Sequence, residues 1–172
     1  NAVSVIGMLV FDLEDSFYTY AVIFLIIAAL ICIPIYYRMY RTDRERAAEE
    51  KSAVLMGNKD YLAIIICGAT LAVAMNNIIA LTPLPRIFDA YEETNEVLAG
   101  GGMVLQIISA GILGCIVEEI SMRGITYLRM KRYWGKNKAL LWSAVVFGIY
   151  HFNVVQAVYA FVLGLFFAWV YE

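Results

Sequence analysis

The chain alternates between long apolar stretches and shorter charged connections. Residues 16–37, 61–82, 97–122 and 139–171 are predominantly apolar, and a shorter apolar stretch covers residues 2–11. About 20 apolar residues in a helix are enough to cross the hydrocarbon core of a bilayer. The pattern therefore predicts an all-α, polytopic membrane helix bundle that forms a single membrane domain over residues 1–172.

The last apolar stretch does not fit one membrane helix. It has 33 residues without a formal charge when its histidine is neutral, which is too long for one span and too short for two full spans. The polar residues His151, Asn153 and Gln156 mark the expected break between helices 139–152 and 154–171, which makes about five spanning segments. A break at that depth is tolerated only if it is buried in protein or lines a water-filled cavity.

Basic residues are concentrated in two of the connections. Residues 38–60 contain six of the 13 Lys and Arg, and residues 123–138 contain another six. The connection 86–96 has only Arg86 and four acidic residues. Because Lys and Arg are enriched in cytoplasmic loops, we predict a multi-pass cell-membrane protein with both basic connections in the cytoplasm and the 86–96 loop outside.

Composition agrees with a membrane protein and excludes several functions. The sequence is 62% hydrophobic and only 16% charged, against about half and a quarter in soluble domains. A net charge of −2 and the balanced charges of 38–60 argue against nucleic-acid binding. The cysteines at 32, 67 and 115 all lie in apolar stretches, which is typical of buried hydrophobic residues rather than metal ligands. We expect no cofactor and no metal.

The candidate chemistry begins at the end of the third apolar stretch. Glu118, Glu119 and Arg123 follow a run that contains no charge. An ionised group in hydrocarbon is costly and usually functional. On a helix Glu119 and Arg123 share a face at i, i+4, whereas Glu118 points about 100° away. The alternative is a helix end at headgroup level, where the pair would be a surface ion pair worth about 0.3–0.5 kcal/mol.

The only histidine of the sequence lies at a matching depth. Glu118 precedes Lys131 by 13 residues, and His151 follows Lys138 by 13 residues. Each is therefore about 20 Å along its helix from the same basic turn. An antiparallel hairpin would bring the carboxylate and the imidazole together. The alternatives are a structural histidine bonded to a neighbouring helix and, for Phe147 one turn earlier, ordinary core packing.

These residues form two motifs of a known family. Glu118, Glu119 and Arg123 fit the pattern EExxxR, and Phe147 and His151 fit FxxxH. Residues 97–172 thereby resemble part of the CAAX protease and bacteriocin-processing (Abi) family of intramembrane glutamate endopeptidases. The resemblance implies a helical bundle with a water-accessible cavity and metal-independent hydrolysis of peptide or protein substrates in or at the membrane. It also implies that Glu118 and His151 activate water, with Glu119, Arg123 and Phe147 in support.

The sequence departs from that family at a third motif, in which a histidine is followed about one turn later by asparagine. There is no second histidine in this sequence. Asn153, which we place among the supporting residues, and Gln156 are the nearby side chains that can donate a hydrogen bond in its place. A missing final helix is our expectation.

Three other functions remain open at this point. The first is a non-proteolytic bacteriocin-immunity or membrane-scaffold protein of the same fold. The second is a transporter or proton relay, since these also use membrane-embedded Glu and His. The third is a zinc site formed by Glu118, Glu119 and His151, although their spacing matches no established ligand pattern. The sequence does not indicate an oligomeric state.

Overall fold

A computed structural model describes residues 17–48, 57–88, 94–97 and 102–172. Within these ranges the regular secondary structure is entirely helical. Four of the described helices are long and apolar enough to cross a membrane: Phe17–Arg46, Asn58–Leu81, Gly102–Trp134 and Val154–Tyr171. The predicted all-α polytopic bundle is confirmed.

The helices are numbered here in chain order. They are α1 (Phe17–Ala48), α2 (Asn58–Leu81), α3 (Leu84–Ile87), α4 (Gly102–Trp134), α5 (Lys136–Tyr150) and α6 (Val154–Tyr171); a further single turn covers 94–97. Parts of the predicted connections 38–60 and 86–96, and the start of predicted helix 97–122, lie outside the described residues.

The helices formed by the third and fourth apolar stretches have the following bounds. Helix α4 continues twelve residues beyond 122, to Trp134, so Arg123 and most of the basic connection that follows it lie within the helix. Helix α5 has 15 residues and is about 22 Å long, shorter than a hydrocarbon core of about 30 Å. The described part of the chain therefore has four helices of spanning length and one short helix.

Helices α5 and α6 form the most closely packed pair of the described bundle. The break between them falls at residues 151–153, inside the predicted interval. Glycines allow the close approach: a Cβ added at Gly148 would lie 2.8 Å from the carbonyl oxygen of Ala157, and one at Gly164 would lie 3.1 Å from Cδ1 of Phe147. Any larger side chain at Gly148 would push the two helices apart.

Helix α4 connects this hairpin to the rest of the bundle. It packs along α1 over much of its length and also against α5 and α6, while α2 packs mainly against α6. At Gly124 an added Cβ would lie 2.6 Å from Cδ2 of Tyr40. The Tyr40 ring of α1 therefore packs directly against the backbone of α4 at Gly124. Gly135, with φ 77°, forms the tight turn from α4 to α5, a conformation that glycine adopts without steric cost.

Helix α4 is not a regular α-helix. Two π-helical segments, Ile107–Gly114 and Ile120–Tyr127, flank one α-helical turn, Cys115–Glu119. Wide turns of this kind inside helices occur frequently at functional sites. Both glutamates of the first motif lie on the short α-helical turn between them.

At one end of the bundle, buried charges hold three helices together. Asp43 of α1 accepts a hydrogen bond of 2.7 Å from Arg129 Nε. Glu172, directly after α6, accepts hydrogen bonds of 2.6 Å from the Tyr127 hydroxyl and 2.7 Å from Lys131 Nζ. We call these five residues the polar clamp. It joins α1 and the end of α6 to the basic end of α4.

Candidate active site

The two residues predicted to activate water lie on different helices and face each other. Glu118 is on the α-helical turn of α4, and His151 is the residue that ends α5. Nε2 of His151 lies 3.9 Å from Oε1 of Glu118, with 20% of the histidine side chain and 34% of the glutamate side chain exposed. The structure therefore brings together the two side chains that the sequence placed at equal depth.

A second contact of His151 fixes the orientation of its ring. Nδ1 lies 2.8 Å from the backbone oxygen of Phe147. Because a carbonyl oxygen only accepts, Nδ1 must carry a proton. In a neutral imidazole Nε2, the ring nitrogen 3.9 Å from Glu118, then has a free lone pair. Their 3.9 Å separation exceeds the length of a direct hydrogen bond. One water molecule can bond to both groups at ordinary lengths.

Arg123 lies inside the bundle beside this pair. Its side chain is 3% exposed, and Nη1 lies 3.2 Å from Oε1 of Glu119. Although that distance defines an ion pair, its geometry is not that of a hydrogen bond, and neither Nη1 nor Nη2 has a hydrogen-bond partner in the described part of the chain. The predicted Glu119–Arg123 pair is thus present. The surface-pair alternative does not hold on the arginine side, because the guanidinium is buried.

Aromatic rings provide the other contacts of Arg123. Its Cζ atom lies 4.6 Å from the ring centroid of Phe147 and 5.3 Å from that of Phe167. The ring of Phe147 also makes an edge contact with the His151 ring, at 5.0 Å between centroids. Phe147 packs in the core with Met122, as the core-packing alternative predicted. It also contacts one residue of each motif.

Glu118 and His151 line a cavity of about 400 Å³ between α1, α4 and the α5–α6 corner. Its polar wall includes Tyr36, Ser109, Tyr150 and Gln156. A carboxylate and an imidazole with a water molecule between them, in a cavity within membrane helices, are suited to hydrolysis of a bound acyl group.

The comparison with protein families addresses the same part of the chain. Residues 100–172 match the Rce1-like family. The family model is described as type II CAAX prenyl endopeptidase Rce1-like. The match includes both motifs and confirms the resemblance to CAAX proteases, and it supports a peptide hydrolase in a multi-pass membrane protein. Neither curated proteins nor solved structures gave a match.

Within the Rce1-like segment, Asn153 has a structural task. Its Oδ1 atom accepts hydrogen bonds of 2.9 Å from Val155 N and 3.2 Å from Gln156 N, which makes Asn153 the N-cap of α6. Asn153 does not line the 400 Å³ cavity, whereas Gln156 does. Of the two candidate donors from the sequence, Gln156 lines the cavity, whereas Asn153 fixes the break through Oδ1, and its buried Nδ2 has no hydrogen-bond partner among the described residues.

The zinc alternative does not fit the described residues. Among them, no group of three or more His, Cys, Asp or Glu is placed to hold a metal ion. Glu119 is directed at Arg123, so only Glu118 and His151 of the proposed ligand set approach each other.

Sequence reasoning missed most of the cavity wall outside the EExxxR and FxxxH motifs. The sequence alone predicts no role for Tyr36, Ser109 or Tyr150. A signal did exist, since Tyr150 directly precedes His151 and Ser109 is a polar residue within an apolar run. Tyr36 carries no such signal, because tyrosines at the end of a membrane helix are common.

Proposed function

We propose that the protein is an intramembrane endopeptidase that hydrolyses peptide bonds of membrane-associated peptides or proteins. The observation that carries the proposal is the Glu118–His151 pair, 3.9 Å apart, with Nδ1 of the histidine bonded to the Phe147 oxygen. This arrangement leaves Nε2 and a carboxylate oxygen available to one water molecule. The match of residues 100–172 to a family of endopeptidases supports the same chemistry.

In the proposed reaction Glu118 is the general base. Its carboxylate accepts a proton from the water molecule while the water oxygen attacks the carbonyl carbon of the peptide bond. His151 holds the same water molecule through Nε2. When the C–N bond breaks, the proton on Glu118 passes to the leaving amine, so that one water molecule is consumed and the glutamate is regenerated. Arg123, paired with Glu119 and stacked on Phe147, keeps the two helices in register.

The cavity and the apolar surroundings support a substrate that lies in or at the bilayer. With the predicted orientation, the basic connections 38–60 and 123–138 are cytoplasmic, and the protein is a multi-pass component of the cell membrane. The proposed mechanism uses two side chains and water and assigns no step to a metal or a cofactor.

The test is Glu118→Gln in the membrane-reconstituted protein. Glutamine retains the shape of the side chain but cannot accept the proton, so cleavage of a library of fluorogenic single-span peptides should fall by about 10²–10⁴-fold. Glu45→Gln, a change of the same kind on an exposed α1 residue paired with Arg41, serves as the control and should cleave normally. Full activity of Glu118→Gln would mean that this carboxylate is structural.

The same assay addresses the non-proteolytic alternative. A bacteriocin-immunity or scaffold protein of this fold would bind a peptide or protein without turnover, and Glu118→Gln would then leave its binding and its membrane expression unchanged. Absence of cleavage by the wild-type protein, together with retained binding, would favour that alternative over the endopeptidase.

A further inference from the structure

A second cavity, of about 180 Å³, lies beside the one that contains Glu118 and His151. Three side-chain amides line it: Asn76 of α2, Asn95 of the 94–97 turn and Gln156 of α6. They come from three separate segments of the chain and meet only in the folded bundle. The remaining lining residues are Ile79, Val155 and Tyr159, so no formally charged residue contributes to the wall.

The side chain of Asn77, next to Asn76, shows what an amide on a membrane helix ordinarily does. Its Nδ2 atom donates a hydrogen bond of 2.9 Å to the carbonyl oxygen of Val73 one turn earlier. No such bond satisfies the Asn76, Asn95 or Gln156 amides within the described residues. Asn76 and Asn95 are exposed and Gln156 is half-buried, so each amide is accessible from the cavity. These three side chains therefore offer donors and acceptors to something that enters the cavity.

The chemistry of the wall selects the kind of ligand. Each side-chain amide provides one oxygen acceptor and two N–H donors, and the wall has no charge to pair with an ion. A neutral group that carries both N–H and C=O matches it. The main chain of a peptide is such a group. The volume also fits: 180 Å³ slightly exceeds the engineered cavity of about 150 Å³ that accommodates benzene, so there is room for one residue-sized segment.

The position of this cavity connects it to the candidate active site. Gln156 lines both cavities. The adjacent residues Thr94 and Asn95 line the larger and the smaller cavity, respectively. A chain lying across Glu118 and His151 can therefore extend past Gln156 into the amide-lined space.

We propose that Asn76, Asn95 and Gln156 bind the main-chain amide groups of a locally unwound substrate segment next to the bond that is cleaved. The proposal rests on the endopeptidase function argued above and adds its substrate class. In a helix the backbone N–H and C=O groups are bonded to each other, and in hydrocarbon each group released by unwinding costs several kcal/mol unless it finds a partner. The three side-chain amides provide those partners. The site therefore favours peptides that unwind readily, and it recognises their main chain rather than particular side chains.

The experiment measures peptide binding without turnover, in the Glu118→Gln background. The probe is a fluorescent synthetic peptide with one Leu/Ala membrane span interrupted by a central Gly-Ser-Gly sequence, and a matched peptide carries N-methyl groups on those central amides. Asn76→Leu combined with Asn95→Leu should weaken binding of the unmodified peptide by about tenfold, as expected for loss of two hydrogen bonds. Asn77→Leu, which removes the neighbouring amide outside the cavity, should have no effect.

The N-methylated peptide separates backbone recognition from a general effect on the bundle. It should bind the parent about tenfold more weakly than the unmodified peptide and should lose little more in the Asn76→Leu/Asn95→Leu variant, because both changes remove the same interaction. Equal binding of the unmodified peptide by parent and variant, including no binding by either, would overturn the proposal. If the leucine variants do not fold, Asn76→Ala and Asn95→Ala remove the same amides with less added bulk.

Failure of this proposal can be told apart from failure of the endopeptidase function. If the wild-type protein cleaves peptides and the Asn76→Leu/Asn95→Leu variant cleaves them equally well, the endopeptidase function stands and the amide site is refuted. If peptide binding depends on Asn76 and Asn95 but the wild-type protein cleaves nothing, the amide site stands and the endopeptidase function is refuted.

Discussion

The polar clamp and the candidate active site both contain charged side chains, but these are hydrogen-bonded to each other in the clamp and not in the candidate active site. In the clamp, Asp43 and Glu172 have side chains that are 2% and 4% exposed, and each is bonded to a cation at 2.7 Å. In the active site, Glu118 lies 3.9 Å from its partner, and the buried Arg123 donates no hydrogen bond within the described residues. The two clamp carboxylates therefore have short bonds to cations, whereas Glu118 and Arg123 have no direct hydrogen bond to a charged partner in the part of the chain that the structure describes.

The difference separates stability from chemistry. Buried carboxylates with short charge-assisted hydrogen bonds cannot be displaced without leaving an unpaired charge, so they hold helices together. Buried polar groups that remain unpaired are exceptions in folded proteins and call for an explanation. Glu118 and His151 line the 400 Å³ cavity, and under the proposed function they are unpaired because water and substrate must bind there. We therefore expect changes in the clamp to affect folding and changes at the Glu118–His151 pair to affect turnover.

The largest expected effect is that of His151→Ala. Cleavage should fall by about 10²–10⁴-fold, with little change in thermal unfolding in detergent. Combined with Glu118→Gln, the loss should hardly exceed that of either change alone, because groups that activate one water molecule act as a unit. Multiplicative losses in peptide-cleavage assays would show that the two residues act separately.

Arg123→Ala should lower both the folding stability and the rate of cleavage, because Arg123 packs in the core and also lies beside the Glu118–His151 pair. The change removes the stacking on Phe147 and Phe167 and leaves Glu119 without its cation. We expect a loss of about 2 kcal/mol in the free energy of unfolding, together with lower activity. Arg123→Lys retains the charge but not the planar group that stacks, and its unfolding midpoint should lie between those of wild type and Arg123→Ala. Wild-type stability of Arg123→Ala would show that the aromatic contacts contribute nothing.

Tyr127→Phe tests the clamp alone. The variant loses the hydroxyl that donates a hydrogen bond of 2.6 Å to Glu172. It retains the aromatic ring and the hydrogen bond from Lys131 to Glu172. The free energy of unfolding should fall by about 1 kcal/mol, and the rate of peptide cleavage per folded molecule should not change. A drop in that rate would mean that the two regions are coupled through α4.

The smallest effect should come from Arg41→Ala. Arg41 and Glu45 form an ion pair at 3.4 Å between largely exposed side chains on α1. Such pairs contribute about 0–1 kcal/mol, so unfolding and cleavage should both remain near wild type. A large loss of stability would indicate that this face of α1 is covered in the assembled protein.

The sequence predicted the helical bundle and the break at residues 151–153 because both follow from local composition and length. The membrane orientation and the catalytic roles stay predictions. The contact between Arg123 and Phe167 was beyond reach, since i, i+4 reasoning pairs only residues one turn apart, and these are 44 positions apart. The π-helical segments of α4 were missed because the apolar pattern was interpreted with a regular helix. The amide cavity needs three segments to assemble, and no single stretch encodes it.

The corner between α5 and α6 has a consequence for how substrate is received. Phe152 has a φ of 51°, which costs a residue other than glycine about 1–3 kcal/mol and persists only where the surroundings dictate it. The N-cap that Asn153 forms directly after Phe152 supplies that constraint, and the bond from Nδ1 of His151 to the Phe147 oxygen fixes the imidazole ring. The imidazole is thus preorganised before any ligand arrives, and the conformational adjustment on binding falls to the incoming peptide.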